Sequence, residues 1–349
     1  IPFQQEISTP NGSYPMVLGE STHLYLARLL QEHDLPKPQL IVSDTNVGTL
    51  WAESLGDQIG VPLVNIPVGE TSKTLGTVQE LYNAFLQHGL DRHSIILVVG
   101  GGVVGDIAGF AAATFMRGVR WVNMPTTLLA MVDASIGGKV GIDLDQGKNL
   151  VGAFHPPSFV LADPELLSTL PPEEYTSGLA EVIKHGIIAD EELFEALCPE
   201  ALPLSRDLLQ RALAVKITIV QRDHLETGER AKLNLGHTIG HGIEAASAYA
   251  LRHGEAISIG MVAEARLAEL LGVAKNGLAS QIASRLRALG LPTSCPGLHP
   301  ARIRALMSSD KKKRDGKLTF ALPTAIGAVE YNLTVEEALL RQVITTATD

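Results

Sequence analysis

Apolar residues fall into two textures along the chain. Up to about residue 165, short β-branched runs alternate with stretches whose apolar positions recur every three to four residues. Segments 39–43, 62–66 and 94–99 read as buried strands, and 24–31, 50–59 and 75–88 as helices. Segments 118–123 and 158–162 add further strands. Strands alternating with helices predict a parallel sheet covered on both faces. Proline pairs at Pro156-Pro157 and Pro171-Pro172 then mark a change, and from 172 to about 308 nearly every segment has helical periodicity. One late strand, 318–322, is expected to close this second half. The expected fold class is therefore α/β plus α. An N-terminal parallel-sheet domain (1–164) precedes a mainly helical C-terminal domain (165–349).

Composition supports two cores. The 349 residues are 45% hydrophobic and 19% charged, which excludes disorder. A net charge of −10, from 28 basic and 38 acidic residues, argues against nucleic acid as a partner. An anionic small molecule stays compatible, because only charges within roughly 8 Å set a local field at physiological salt. The longest apolar stretch, 94–115, is broken by Asp106 and several glycines, so no membrane span is expected. Cys198 and Cys295 stand far apart without a CxxC, which suits a reducing compartment. With Ile at position 1, any targeting segment is expected to have been trimmed, leaving cytoplasm and plastid stroma both open.

The strand 94–99 runs into Gly100, Gly102 and Gly105 in a GxGxxG arrangement followed by Asp106. Such glycines let the backbone approach a pyrophosphate while helix N-terminal amides face its charge. The ribose-binding acid usual about 20 residues later is missing, since 121–124 reads WVNM. Asp44, after the first strand, is the better ribose partner, and Gly69-Glu70-Thr71-Ser72-Lys73 follows the second. Three strand ends are expected to meet one dinucleotide.

Glu181, Lys184 and His185 fall at i, i+3 and i+4, and His237 and His241 at i, i+4; His253 opens another helix. A carboxylate with imidazoles from separate helices is the ligand set of a catalytic zinc with an open position. Spacing leaves open whether His237 and His241 both ligate. Cations and amides recur nearby: Arg117, Lys139, Lys148 with Asn149, Lys184, Lys216, Arg230 with Asn234, and Lys311-Lys312-Lys313. In an acidic chain they point to a multiply charged anion, although 311–314 also reads as a solvated charge run.

The segments GGGVVGD, MRGVRWVNMPTTLLAMVDASIGGKVGID, GKNLVG, GLAEVIKHG, RAKLNLGHTIGH and HGEAISIGM resemble the 3-dehydroquinate synthases, members of the sugar phosphate cyclases. The likeness covers nearly the whole chain and implies that 1–164 is a Rossmann-like, parallel-sheet nucleotide-binding domain and 165–349 a mainly helical metal-binding domain. It implies a homodimeric enzyme of the shikimate pathway that converts 3-deoxy-D-arabino-heptulosonate 7-phosphate to 3-dehydroquinate and phosphate. The route implied is transient oxidation by NAD, phosphate elimination, re-reduction and aldol closure, with Zn²⁺ or Co²⁺ as Lewis acid. By matching positions, the metal ligands would be Glu181, His237 and His253. NAD would meet Asp44, Asn46, Glu70, Lys73, Gly101, Gly102, Val103, Asp106, Thr126, Thr127, Lys139 and Lys148. Substrate and catalysis would fall to Asp133, Lys139, Lys148, Asn149, Lys184, Lys216, Arg230, Asn234 and His241, together with Lys311 or Lys312. Arg117, between Phe115-Met116 and a strand, would reach the partner subunit's site. One departure is His224, which stands where an acid often follows Asp223. A glycerol-dehydrogenase-type oxidoreductase and an NAD-sensing binding module are the competing readings.

Overall fold

In the computed structural model the described residues are 2–10, 12–307, 313, 314 and 317–349. The chain separates into two units, Ile1–Pro171 and Pro172–Asp349. The described residues of the first unit build a seven-stranded sheet in the order β1-β2-β9-β6-β5-β3-β4. Its strands are β1 (Phe3–Thr9), β2 (Gly12–Leu18), β3 (Leu40–Asp44), β4 (Leu63–Ile66), β5 (Ile95–Gly100), β6 (Arg120–Pro125) and β9 (Phe159–Ala162). From β2 inward every pairing is parallel. Strands β3, β5 and β9 are buried at every position, which requires cover on both faces and explains why they read as unbroken apolar runs.

The strand order sets the first half of the site. From β3 the chain moves outward to β4 and then returns to β5 on the other side. The carboxyl ends of β3 and β5 therefore flank a topological switch point, where open α/β sheets bind ligands. Asp44 ends β3. Gly100 ends β5, and α5 (Gly102–Thr114) starts two residues on.

Three features differ from the sequence expectation. The chain opens with an antiparallel hairpin, β1 with β2. Residues 139–154 form a second hairpin, β7 (Lys139–Leu144) with β8 (Gly147–Phe154), which carries Lys139, Lys148 and Asn149. The expected late strand is instead the hairpin of β12 (Phe320–Ala325) with β13 (Ala328–Leu333), preceded by a short ladder of β10 (Lys313–Arg314) with β11 (Lys317–Leu318).

The second unit is built on α6 (Pro172–Ala189), α8 (Arg206–Arg222), α9 (His237–Ala246) and α10 (His253–Leu270). Helix α10 is buried around most of its circumference and packs on α6, α9, α13 (Glu337–Thr348) and β12. Ile239 and Ile243 of α9 join Ile259, Ala263 and Leu267 of α10 in one apolar cluster with Ile303, Phe320 and Val343. That cluster fixes the three histidine-bearing positions relative to one another. Among the described residues no helix is long and apolar enough to cross a membrane.

Candidate active site

In the first unit, the Asp44 carboxylate caps the turn after β3 by accepting from the amides of Asn46 (2.8 Å) and Val47 (2.9 Å). Lys73, almost fully buried, pairs with Asp106 at 2.7 Å and donates to the Asn149 amide oxygen at 2.5 Å. Lys148 stands 3.3 Å from Glu70. Burial opposes the charge on Lys73, but Asp106, Glu70 and Asp143 outweigh it and hold the ammonium above its ordinary 10.5. Burial pushes the Asp106 carboxyl above its ordinary 3.8, against the pull of Lys73. Sequence reasoning overlooked Asp143. Its carboxylate accepts from the Asn149 amide at 2.7 Å and its own amide donates to the Lys73 carbonyl at 2.9 Å, so it ties the β7–β8 hairpin to the cation cluster. Thr127 caps the turn after β6 by accepting from the Ala130 amide. The Thr126 hydroxyl beside it is buried with no hydrogen-bond partner among the described residues.

A pocket in this unit is lined by Gly101, Gly102, Asp106, Asn123, Ser135 and Lys139, among others. Asp133 lies on the helical turn Ala130–Ala134. Met116 and Arg117 both adopt positive φ, 49° and 70°, and both are exposed. Phe115, expected to flank Arg117, is instead buried, stacking on Tyr82 and meeting Phe85 edge-on. The arm is Met116-Arg117 alone.

In the second unit, α6 buries Glu181 and Lys184 to 1% exposure and His185 to 0%. Glu181 and Lys184 form an ion pair, which offsets the high cost of two buried charges. The other carboxylate oxygen, Oε1, faces His237 Nε2 at 3.5 Å and His253 Nε2 at 3.4 Å. These three residues place one ligand atom each within 4.8 Å of one another. His237 Nδ1 lies 3.1 Å from the Leu235 carbonyl, the partner that fixes a tautomer with a free Nε2 lone pair. His253 Nδ1 faces Glu244 at 3.5 Å. Burial works against protonation of His253, but hydrogen bonds and charge from Glu181 and Glu244 push it up to about 9. His241 packs its ring 5.2 Å from His237 and 5.9 Å from His253. A second grouping, His241, Glu244 and His253, also comes within 4.8 Å, but it would use the opposite nitrogen of His253.

Lys216 and Arg230 are buried, and Asn234 closes the helical turn Glu229–Asn234. The Arg230 guanidinium donates to the His224 carbonyl at 2.6 Å, and the Asn234 amide to Glu226 at 3.0 Å. Asp223 organises this loop by accepting from the amides of Thr227, Gly228 and Arg230. His224 serves Arg230 through its main-chain carbonyl, a contact that does not depend on which side chain stands there. Burial works against the Asp223 charge, yet those donors outweigh it and hold the carboxyl below its ordinary 3.8. A carboxyl depressed in the folded chain adds stability above its unfolded pKa that is lost as pH falls through the folded value. Lys311 and Lys312 lie outside the described residues.

Two family models match the chain: "3-dehydroquinate synthase N-terminal" over residues 63–177 and "3-dehydroquinate synthase C-terminal" over 178–313. A 3-dehydroquinate synthase of Symbiobacterium thermophilum is 43% identical over 332 residues, covering 90% of this chain and 92% of that relative. The chain belongs to the 3-dehydroquinate synthase family. Among solved structures, a 2-deoxy-scyllo-inosose synthase complexed with carbaglucose-6-phosphate, NAD⁺ and Co²⁺ superposes with TM-score 0.89 at 28% identity, covering 99% of this chain and all of that one. A 2-epi-5-epi-valiolone synthase from Streptomyces hygroscopicus subsp. jinggangensis with NAD⁺ and Zn²⁺ bound gives TM-score 0.88 at 30% identity, covering 97% and 98%. Glu244 and Asp143 are among the residues that sequence reading missed. Glu244 lies seven positions after His237 and three after His241 on the same helix, so helical spacing from the two histidines was the available signal.

Proposed function

We propose that this chain converts 3-deoxy-D-arabino-heptulosonate 7-phosphate to 3-dehydroquinate and phosphate, acting as a phosphorus–oxygen lyase. The observation that carries the reading is the convergence of Glu181, His237 and His253, one carboxylate oxygen and two Nε2 atoms, the donor set of an open catalytic zinc or cobalt site. The outer partners Leu235 and Glu244 support the same assignment. NAD fits the first unit. The amides of Gly101, Gly102 and Val103 would take its pyrophosphate at the start of α5, and the buried Thr126 hydroxyl, without a partner among the described residues, would gain one, with Thr127 alongside. Asp44 and Asn46 would meet a ribose, and Glu70, Lys73 and Asp106 would border the cofactor together with Lys139 and Lys148.

When bound, Zn²⁺ or Co²⁺ polarises a substrate hydroxyl and NAD accepts and returns a hydride. The chain's own residues bind and orient. Lys139, Lys148 and Asn149 of the first unit, and Lys184, Lys216, Arg230 and Asn234 of the second, would each offer positive charge or donors to the substrate's anionic groups. Lys311 or Lys312 would add a further cation. Asp133 orients the substrate, and His241, one helical turn from His237, moves the proton at the hydroxyl oxygen. Phosphate release and NADH should be followed together. Sub-stoichiometric NAD⁺ is expected to support many turnovers of phosphate release without net NADH. Release that stops after one equivalent per NAD⁺, or NADH accumulating in solution, would favour a net dehydrogenase.

The family resemblance also puts Arg117 in a partner subunit's site, and the exposed, positive-φ Met116-Arg117 arm supports a reach away from its own core. In a two-fold homodimer such an exchange is reciprocal. Arg117→Ala and Glu181→Gln are each expected to be inactive as homodimers. Mixing them under subunit exchange should restore roughly a quarter of wild-type activity, because half the dimers then hold one intact site of two. No recovery despite demonstrated exchange would place Arg117 in its own chain's site.

A further inference from the structure

Helix α9 brings His237 to the metal group at its first residue, yet the helix lacks the usual means of closing its N-terminus. Its cap residue is Gly236, at φ +81° and without a side chain to accept from the first-turn amides. No larger residue fits there, since a Cβ would lie 2.8 Å from the Ile257 carbonyl and crowd the Met261 side chain. The acceptor comes from another helix. Glu264 of α10, 0% exposed, accepts from the Gly236 amide at 2.5 Å and from the Ile239 amide at 3.1 Å, one through each carboxylate oxygen. Amide donors to both oxygens favour the ionised form.

We infer that Glu264 is a positioning residue for the metal group, an inference that rests on the metal reading proposed above. It acts in two ways. Holding the amides on either side of His237 fixes the rotation of the first turn, and with it the direction in which Nε2 faces Glu181. A helix N-terminus also carries roughly half a positive charge, which would oppose a divalent cation held by an imidazole of its first turn. A buried carboxylate on those amides offsets that charge.

The test is the Zn²⁺ dissociation constant of apo wild type, Glu264→Gln and Glu264→Asp, measured by competition with a chromophoric chelator alongside melting of the apo proteins. Glu264→Gln keeps the shape but removes the charge, and Zn²⁺ affinity is expected to fall roughly 10- to 100-fold, the range seen when outer partners of metal ligands are lost. Glu264→Asp keeps the charge but shortens the reach, and is expected to bind less tightly than wild type. If Glu264→Gln does not fold, Glu264→Asp decides. A purely structural cap would lower melting while leaving the affinity of the folded protein unchanged. Affinity within twofold of wild type in the folded variants overturns the inference. Wild type failing to bind Zn²⁺ would instead sink the metal reading.

Discussion

Glu181→Gln is expected to lower kcat/KM by about 10³-fold or more, equivalent to roughly 4 kcal/mol of lost transition-state stabilisation at 1.36 kcal/mol per decade. The carboxylate is buried to 1% exposure, with Oε1 toward His237 and His253 and Oε2 toward Lys184. Gln preserves the shape and removes the charge that a divalent cation needs from its single anionic ligand. Both Gln and Ala break the buried ion pair with Lys184, but Ala is the poorer test because it also leaves a cavity and would mix folding further with chemistry. Bound metal should fall with activity, while NAD⁺ affinity should hold, since the residues proposed for NAD lie in the first unit. Metal content by elemental analysis, NAD⁺ titration and steady-state kinetics separate these effects. Wild-type metal stoichiometry in the variant, or kcat/KM within tenfold of wild type, would move the metal elsewhere.

What the sequence disclosed follows from which interactions are local. The β5-to-α5 turn was legible because a run of apolar residues buried on both faces ends abruptly in glycine, and the amides that face an anion belong to that same segment. Helical spacing grouped Glu181 with Lys184 and His185, and His237 with His241, whereas the set of Glu181, His237 and His253 came from the family resemblance. The hairpins were not legible. Strand β1 is mostly polar and half-exposed, and β8 is glycine-bearing and largely solvent-facing, so neither shows the β-branched alternation that marks a strand. The carboxylates that organise the site were also hidden. Glu264, Glu244 and Asp143 look like ordinary acids on a helix or in a turn, and their roles exist only once α10 reaches the start of α9, or β7 reaches Lys73. Local propensity and spacing therefore pointed to candidate groups, while the contacts of Glu264, Glu244 and Asp143 depend on tertiary packing.

The same packing makes Gly254→Ala the substitution expected to do most damage to the second unit. Gly254 follows His253 at the start of α10, donates its amide to the Ser177 hydroxyl at 3.0 Å, and lies against the α6 backbone one helical turn before Glu181. A Cβ here would overlap the Ser177 carbonyl oxygen and its carbonyl carbon. Those are backbone atoms, so no rotamer change relieves the overlap, and the two helices must move apart. Overpacking of this kind costs about 3 kcal/mol at the upper end of its usual range. For a unit of this size that is a fall in Tm of roughly 6–12 °C. The displacement would separate the helices that carry His253 and Glu181, whose Nε2 and Oε1 are 3.4 Å apart, so Zn²⁺ affinity should drop together with Tm. Thermal melting with and without Zn²⁺ checks both at once. Wild type is expected to gain stability from added metal by mass action, and the variant to gain little. A variant that melts and responds to Zn²⁺ as wild type does would show that α6 and α10 are not held at this distance by the missing side chain.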